Sequence, residues 1–170
     1  EPIIYEKVPA RVYDNSEEGS KAVACEIVTL IKSKQKNGSH CVLGLATGST
    51  PKSVYKELIR QHREEGLSFQ NVISFNLDEY YPMQPDSLQS YVRFMYEQFF
   101  NHVDIKSENI YIPDGTLQPD EIKKYCETYE SKIDSLGGID FQLLGIGSNG
   151  HIGFNEPGSL TSSKTRLMML

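Results

Sequence analysis

The chain has 170 residues, 17 of them Lys or Arg and 23 Asp or Glu, which gives a net charge of -6 with histidine neutral; the length suits one compact domain. With 38% hydrophobic and 24% charged residues, 7 Phe and 10 Tyr, it is too rich in core formers for a disordered segment and too polar for a membrane protein. The acidic excess argues against a nucleic-acid partner, because that binding mode needs clustered Lys and Arg, and no run approaches the roughly 20 apolar residues of a bilayer span.

At the start of the chain, Glu1-Pro2-Ile3 has no Met, basic region or apolar stretch, so no targeting segment is expected. Asn15 with Glu18 three residues later marks a helix start, and Ala22, Val23, Ile27, Leu30 and Ile31 recur at helical spacing until Asn37-Gly38 stops the helix. The basic cluster Lys32 to Lys36 reads as the solvated end of this helix, complementing its dipole. Cys41 to Leu45 is a short apolar run suited to a strand buried on both faces, and Pro51 opens a helix through Val54, Tyr55, Leu58 and Ile59. Val72 to Phe75 reads as the next strand, followed by a helix around Tyr91, Phe94, Met95 and Phe99. The extended piece Ile110 to Ile112 leads to a helix that begins near Pro119-Asp120-Glu121 and ends at Gly137-Gly138. Phe141 to Leu144 is a further strand, and Thr165 to Met169 is expected to begin another.

Strands alternating with helices of this length imply an α/β fold: an open, mostly parallel, doubly wound Rossmann-like sheet with helices on both faces. No repeat or Gly/Ser linker divides the chain, so residues 1–170 are read as one α/β domain. Cys25, Cys41 and Cys126 are odd in number, far apart and without C-x-x-C spacing. That argues against a disulfide framework or a cysteine zinc site and fits a reducing cytoplasm. In such sheets ligands bind beyond the carboxyl ends of the strands, so the strand-to-helix loops are where function is sought.

Three loops carry chemistry. In the first, Thr47, Gly48, Ser49 and Thr50 run from a strand into a helix and offer hydroxyls and backbone N–H groups to an anion such as phosphate. The plainer alternative is an ordinary βα turn with Thr50 as N-cap; a P-loop is excluded, because its glycine-lysine pattern is absent. In the second loop, Asp78 and Glu79 are adjacent carboxylates after an apolar strand. Like charge and partial burial beside Tyr80 and Tyr81 would raise the pKa of one of them, making Asp78 a candidate general base. The alternative is that Asp78 caps the turn and Glu79 is solvated.

The third loop runs from Gly145 to Gly158. Gly145, Gly147 and Gly150 spell G-x-G-x-x-G, but Pro157-Gly158 interrupts any long helix and no acidic residue follows Glu156, so a dinucleotide site fails on context. The glycines permit close backbone approach to a ligand and positive φ at tight turns. His151 supplies a group that titrates near neutral pH, and Glu156 stands ready to orient it or share its proton. His40, His62 and His102 lack such a frame and are read as structural. The spacing of His151 and Glu156 matches no zinc signature, so metal-free acid/base chemistry is expected.

At these loops the sequence resembles the glucosamine-6-phosphate deaminase (isomerase) family. The matching stretches are Leu45 to Pro51, Phe75 to Tyr80 and Gly145 to Pro157, with Ser90-Tyr91 and Phe99 to Val103 between them. The resemblance implies conversion of the sugar phosphate glucosamine 6-phosphate to fructose 6-phosphate and ammonia, with no cofactor. It implies that Asp78 moves a proton from C2 to C1, that His151 opens the sugar ring with Glu156 tuning it, and that Thr47 to Thr50 hold the phosphate. Glu79, Gly147 and Gly150 would border the substrate. Asn149 stands where many relatives carry Asp; it can fix the imidazole tautomer but adds no charge. Family enzymes continue past Leu170 and draw on that part for an Arg and a Lys at the phosphate, so the chain is expected to be an N-terminal piece, its sheet truncated and its activity poor. Ser159 and Arg166 match positions of a regulatory phosphate site, but Met168 stands in place of a Lys, which argues against regulation by an acetylated sugar phosphate. A 6-phosphogluconolactonase, which normally continues Thr-Ala-Ser after the Gly-His pair, and a sugar-phosphate sensor domain are the competing readings. Whether the chain forms a homo-oligomer is left open.

Overall fold

A computed structural model of the chain describes residues 9–169, so the reading of Glu1 to Ile3 lies outside the described residues. The elements run α1 (Ser16–Lys36), β1 (Cys41–Leu45), α2 (Lys52–Glu65), β2 (Val72–Asn76), α3 (Tyr91–Gln98), β3 (Ile110–Tyr111), α4 (Ile122–Ser135) and β4 (Phe141–Gln142). The start of α1 is set as its sequence requires: Asn15 Oδ1 accepts the Glu18 N–H at 2.9 Å, and Glu17 and Glu18 occupy the positive end of the helix. Lys34 and Lys36 sit in its last turn, and Lys34 also pairs with Asp140 at 2.5 Å. None of the helices among the described residues is long and apolar enough to cross a membrane.

The four strands form one parallel sheet in the order β3-β2-β1-β4. The chain therefore builds outward from β1 through β2 to β3 and then returns to the other side of β1. This reversal places the crevice of the fold between the loops that follow β1 and β4. All five residues of β1 and of β2 are buried, as in strands covered on both faces; β1 has no polar side chain but Cys41, whereas β2 buries Ser74 and Asn76 between apolar residues. Cys41, Leu43, Leu45 and Val72 point into a core shared with α1, α2 and α3. Val42, Ile73 and Phe75 point the other way, into a smaller core formed with Tyr129 and its neighbours on α4. The helices thus cover both faces, three on one and one on the other. Gly44 in the middle of β1 has a reason of its own: a Cβ there would collide with the Gln142 side chain, which lies across it from β4.

Two buried tyrosines anchor the ends of the central strands from opposite faces. Tyr55 of α2 donates to Ala46 O at 2.5 Å, immediately after β1, and Tyr129 of α4 donates to Asn76 O at 2.8 Å, the last residue of β2. Burial pushes both phenols above their ordinary pKa, so they remain donors.

Three expectations are corrected. Thr50 does not cap α2: the cap is Pro51, already helical at φ -72°, ψ -13°, and no side chain bonds the first N–H groups. The strand expected over Phe141 to Leu144 pairs only at Phe141 and Gln142, because the backbone then leaves the sheet towards the glycine-rich loop. Thr165 to Met169 forms no strand among the described residues. Instead the backbone N–H and hydroxyl of Thr165 bond the Glu130 carboxylate at 2.7 and 2.6 Å, tying the segment to α4 rather than to the sheet.

Candidate active site

The three loops converge on one cleft of about 450 Å3, lined by Thr47 to Thr50, Asp78, Tyr80, Tyr91, Gly147, His151, Phe154 and Glu156 among others. The first loop enters α2 through Gly48 at φ +95°, a conformation that favours glycine. Among the described residues the N–H groups of Gly48, Ser49 and Thr50 donate to no backbone acceptor, and they stand exposed at the amino end of a 14-residue helix. Neither Lys nor Arg lines this cleft among the described residues. Lys52, the nearest cation in sequence, has its Nζ 5.4 Å from the Phe94 ring centroid.

Asp78 sits half-buried where the loop leaves β2. Its pKa is pushed up from 3.8 to about 6, first because burial penalises the charged form and second because the Glu79 carboxylate stands beside it. Of the two tyrosines expected next to it, Tyr80 lines the cleft, while Tyr81 donates to Leu117 O at 3.0 Å. Glu79 is neither solvated nor aimed at the cleft. Its carboxylate accepts from Tyr80 N, Ser90 Oγ, Tyr91 N and Val92 N at 2.8–3.1 Å, capping α3.

The third loop folds on itself. Gly147 N–H donates to His151 O at 2.8 Å, and the imidazole lies across Gly147 so closely that a Cβ there would collide with the ring. Gly150 has φ +86°, whereas Gly145 and Gly147 do not have positive φ; Gly147 serves close approach to the His151 ring, and a Cβ at Gly145 would meet nothing within 4 Å. The side-chain chain is ordered. Asn149 Nδ2 donates to Glu156 Oε2 at 2.8 Å, which turns Asn149 Oδ1 towards His151, where it accepts from the backbone N–H at 3.0 Å and from Nδ1 at 2.6 Å. An amide oxygen only accepts, so His151 Nδ1 carries the proton and Nε2 of the neutral ring is left as an acceptor. Glu156 is also 3.8 Å from Nδ1.

Sequence reasoning missed two features. Gly153, at φ +58°, lets the third loop press on the second: a Cβ there would lie 2.7 Å from Leu77 Cδ2 and 3.0 Å from Asp78 Oδ2. Tyr80, Tyr91 and Phe154 form an aromatic cluster with ring centroids 5.0–6.0 Å apart, joining the second loop, α3 and the third loop. Burial first, and then Tyr80, pushes the Tyr91 phenol up. The signal was present only as Tyr80, Tyr91 and Phe154 inside the matched stretches. His62 and His102 are structural, as read: His62 Nδ1 bonds Leu67 O, and His102 sits between Arg63 and the Glu97 carbonyl. Arg166 Nη2 donates to Asn155 Oδ1 at 3.1 Å and reaches Ser159 Oγ at 3.5 Å. No cluster of three or more His, Cys, Asp or Glu among the described residues is arranged to hold a metal ion.

The four-stranded parallel sheet, covered by helices on both faces and with a crevice at its switch point, defines an α/β protein of the doubly wound class. The chain belongs to the family of glucosamine-6-phosphate isomerases and 6-phosphogluconolactonases, whose model matches residues 14–167. It is 53% identical over 165 residues to a glucosamine-6-phosphate deaminase-like protein of Bacteroides thetaiotaomicron, covering 97% of this chain and 25% of that one. It is 48% identical over 156 residues to glucosamine-6-phosphate deaminase of Thermoanaerobacter pseudethanolicus, covering 92% of this chain and 59% of the relative. Among solved structures, a monomeric glucosamine-6-phosphate deaminase of the NagB superfamily superposes with a TM-score of 0.84 at 46% identity, covering 91% of this chain and 61% of that one. The 6-phosphogluconolactonase of Thermotoga maritima gives a TM-score of 0.64 at 30% identity, covering 78% and 58%. The chain thus spans 64% or less of each of these curated deaminase relatives.

Proposed function

We propose that this chain supplies the acid/base machinery for isomerising and deaminating glucosamine 6-phosphate to fructose 6-phosphate and ammonia. The observation that carries this reading is the meeting, in one cleft, of a carboxyl group whose pKa is pushed up to about 6, an imidazole held at Nδ1 by Asn149 Oδ1, and a helix start with free N–H groups. The deaminase relatives at 46–53% identity support it.

In this reading, Thr47, Gly48, Ser49 and Thr50 hold the phosphate through N–H groups and hydroxyls. His151 Nε2 takes the proton of the anomeric hydroxyl and returns it to the ring oxygen, opening the sugar to its aldehyde; Asn149 and Glu156 keep that nitrogen available. The C2–H of the open amino aldehyde is acidified by the carbonyl. The Asp78 carboxylate removes this proton and delivers it to C1, while the C2 amino group gives up one proton and the C1 oxygen gains one, leaving an imine at C2 and a hydroxymethyl group at C1. Water adds to the imine carbon and ammonia leaves, giving the ketose. A base whose pKa lies about one unit below neutrality is largely ionised at pH 7 and still holds a proton well enough to pass it on. Gly147 shapes the wall that the sugar faces, Gly150, which does not line the cleft, supplies the turn before His151, and Tyr80, Tyr91 and Phe154 flank the Asp78 side.

A 6-phosphogluconolactonase activity is the second reading, favoured by the family description and by the Thermotoga maritima structure at 30% identity. The segment Ile152-Gly153-Phe154-Asn155-Glu156 after the Gly-His pair counts against it, since the Glu156-Asn149-His151 chain is built from that segment. Incubating the chain with glucosamine 6-phosphate should release ammonia and fructose 6-phosphate in equal amounts. Asp78→Asn should abolish this while the Gly48 to Thr50 amide resonances still shift on adding the sugar phosphate. Lactone hydrolysis without deamination, or an unchanged rate in Asp78→Asn, would overturn the reading.

A further inference from the structure

We propose that Glu79 is a positioning residue: fastened to the amino end of α3, it fixes the backbone that carries Asp78 and keeps a full negative charge beside the Asp78 carboxylate. The clamp is explicit. Glu79 Oε1 accepts from its neighbour Tyr80 N at 2.8 Å, and Oε2 accepts from Ser90 Oγ at 3.0 Å, Tyr91 N at 2.9 Å and Val92 N at 3.1 Å. Every partner is a donor, and a carboxyl group satisfies four donors only in its ionised form. The amino end of α3 adds favourable partial positive charge to that form. Ser90, which supplies both the other cap and the fourth donor, is 1% exposed, and Glu79 itself is half-buried.

The consequence falls on Asp78. Its neighbour in sequence is held by four hydrogen bonds, so the Glu79 carboxylate stays beside Asp78, and the carboxylate of Asp78 is the member of the pair that lines the cleft. The other groups around Asp78 are Tyr80 from the same loop, Tyr91 from α3 and Tyr129 from α4, all neutral phenols, together with His151 and Glu156 across the cleft. Lys164, Arg166 and Glu130 border a second cavity that Asp78 and Glu79 line as well. Neither Lys nor Arg lines the cleft itself among the described residues. The same clamp aligns α3 so that Tyr91, its first residue, meets Phe154 of the third loop at 6.0 Å between ring centroids. Glu79 thus joins the base, the aromatic wall and the third loop without touching the sugar. The value of this to turnover rests on Asp78 acting as the base, as proposed above; the effect on the Asp78 carboxyl does not.

The test reads that carboxyl group directly. The 13C chemical shift of the Asp78 carboxyl, identified by its loss in Asp78→Asn, is followed from pH 3 to pH 9 in the chain and in Glu79→Gln and Glu79→Asp. Glu79→Gln keeps one acceptor for the helix and removes the charge, so the midpoint should fall by roughly 0.5 to 1 pH unit, burial alone still holding it above the ordinary Asp value. Glu79→Asp keeps the charge and should leave the midpoint within roughly 0.3 unit. A midpoint unmoved in Glu79→Gln, or moved equally in both variants, overturns the proposal. A second measurement needs no variant: hydrogen exchange at the Tyr91 and Val92 amides should stay slow through the Asp78 titration. Loss of protection with the same midpoint would mean that the two carboxyl groups titrate as one and would overturn it as well. Neither readout involves turnover, so failure here and failure of Asp78 as base are separate results.

Discussion

At Asp78, burial and a neighbouring charge act in the same direction, and burial is the larger of the two. The folded state therefore holds this proton more tightly than an unfolded chain, whose Asp titrates near 3.8. A raised carboxyl pKa means that stability falls as pH rises from below 4 through about 6, because the unfolded chain gives up the proton first. The shift of roughly two units sets an upper bound of about 3 kcal/mol at pH 7, reduced by water that reaches the cleft. Asp78→Asn, which removes the cost, should raise the urea midpoint at pH 7 by the equivalent of about 1–2 kcal/mol, and the gain should vanish near pH 4. The opposite sign belongs to Glu130 and Asp140, whose bonds to Thr165 and to Lys34 and Val42 lower their pKa values; their contribution is present at neutral pH and lost on acidification. At Gly153 the prediction is steric: Gly153→Ala would drive a methyl group against Leu77 and Asp78 at a positive φ. Turnover should fall by roughly 10-fold or more, as a displacement near 1 Å of a reacting group does, with far-UV circular dichroism unchanged.

At the scale of single elements, the helices were legible where their signals are local. The Asn15 cap that starts α1 is observed, and of the periodic residues Ile27 and Ile31 are buried while Ala22, Val23 and Leu30 are half-buried beside Ala24 and Val28, which complete the face. The start of α3 was not legible in full, because half its cap comes from Glu79, 11 residues before Ser90. Ser90→Ala removes acceptors for Val92 N and Arg93 N and a donor to Glu79. It should cost about 1–2 kcal/mol in urea unfolding, more than Glu79→Gln, which retains one acceptor. The tyrosine anchors escape sequence reasoning for a related reason: a helical periodicity marks Tyr55 and Tyr129 as apolar and says nothing of the strand carbonyl each hydroxyl reaches. Tyr129→Phe leaves the Asn76 carbonyl, buried at the end of β2, without this donor. The loss should be about 1–3 kcal/mol, read by thermal or urea unfolding. The Thr165 segment misled for the opposite reason. Its apolar run has strand composition, yet its polar groups found Glu130 on α4 before any sheet edge.

For the molecule as a whole, the alternation of apolar runs and helical periods was enough to give a parallel sheet with helices on both faces. Strand order was not readable, since it depends on which neighbour each buried strand selects. The order β3-β2-β1-β4 puts three functional loops on three adjacent strands, with the first loop in the middle. This is why pieces separated by about thirty and seventy residues face one another. The legible part of the site was its inventory: Thr47 to Thr50, Asp78, Asn149, His151 and Glu156 all border or support one cleft. What could not be read was the division of labour within pairs, above all that Asp78 faces the cleft while Glu79 turns to α3.

The sheet is unevenly knit, with five paired positions between β1 and β2 but two between β1 and β4. His151 therefore follows a strand joined to β1 at two positions only, while Thr47 to Thr50 follow a strand paired with β2 at five, so amide hydrogen exchange should be faster at the end of β4 than at the end of β1.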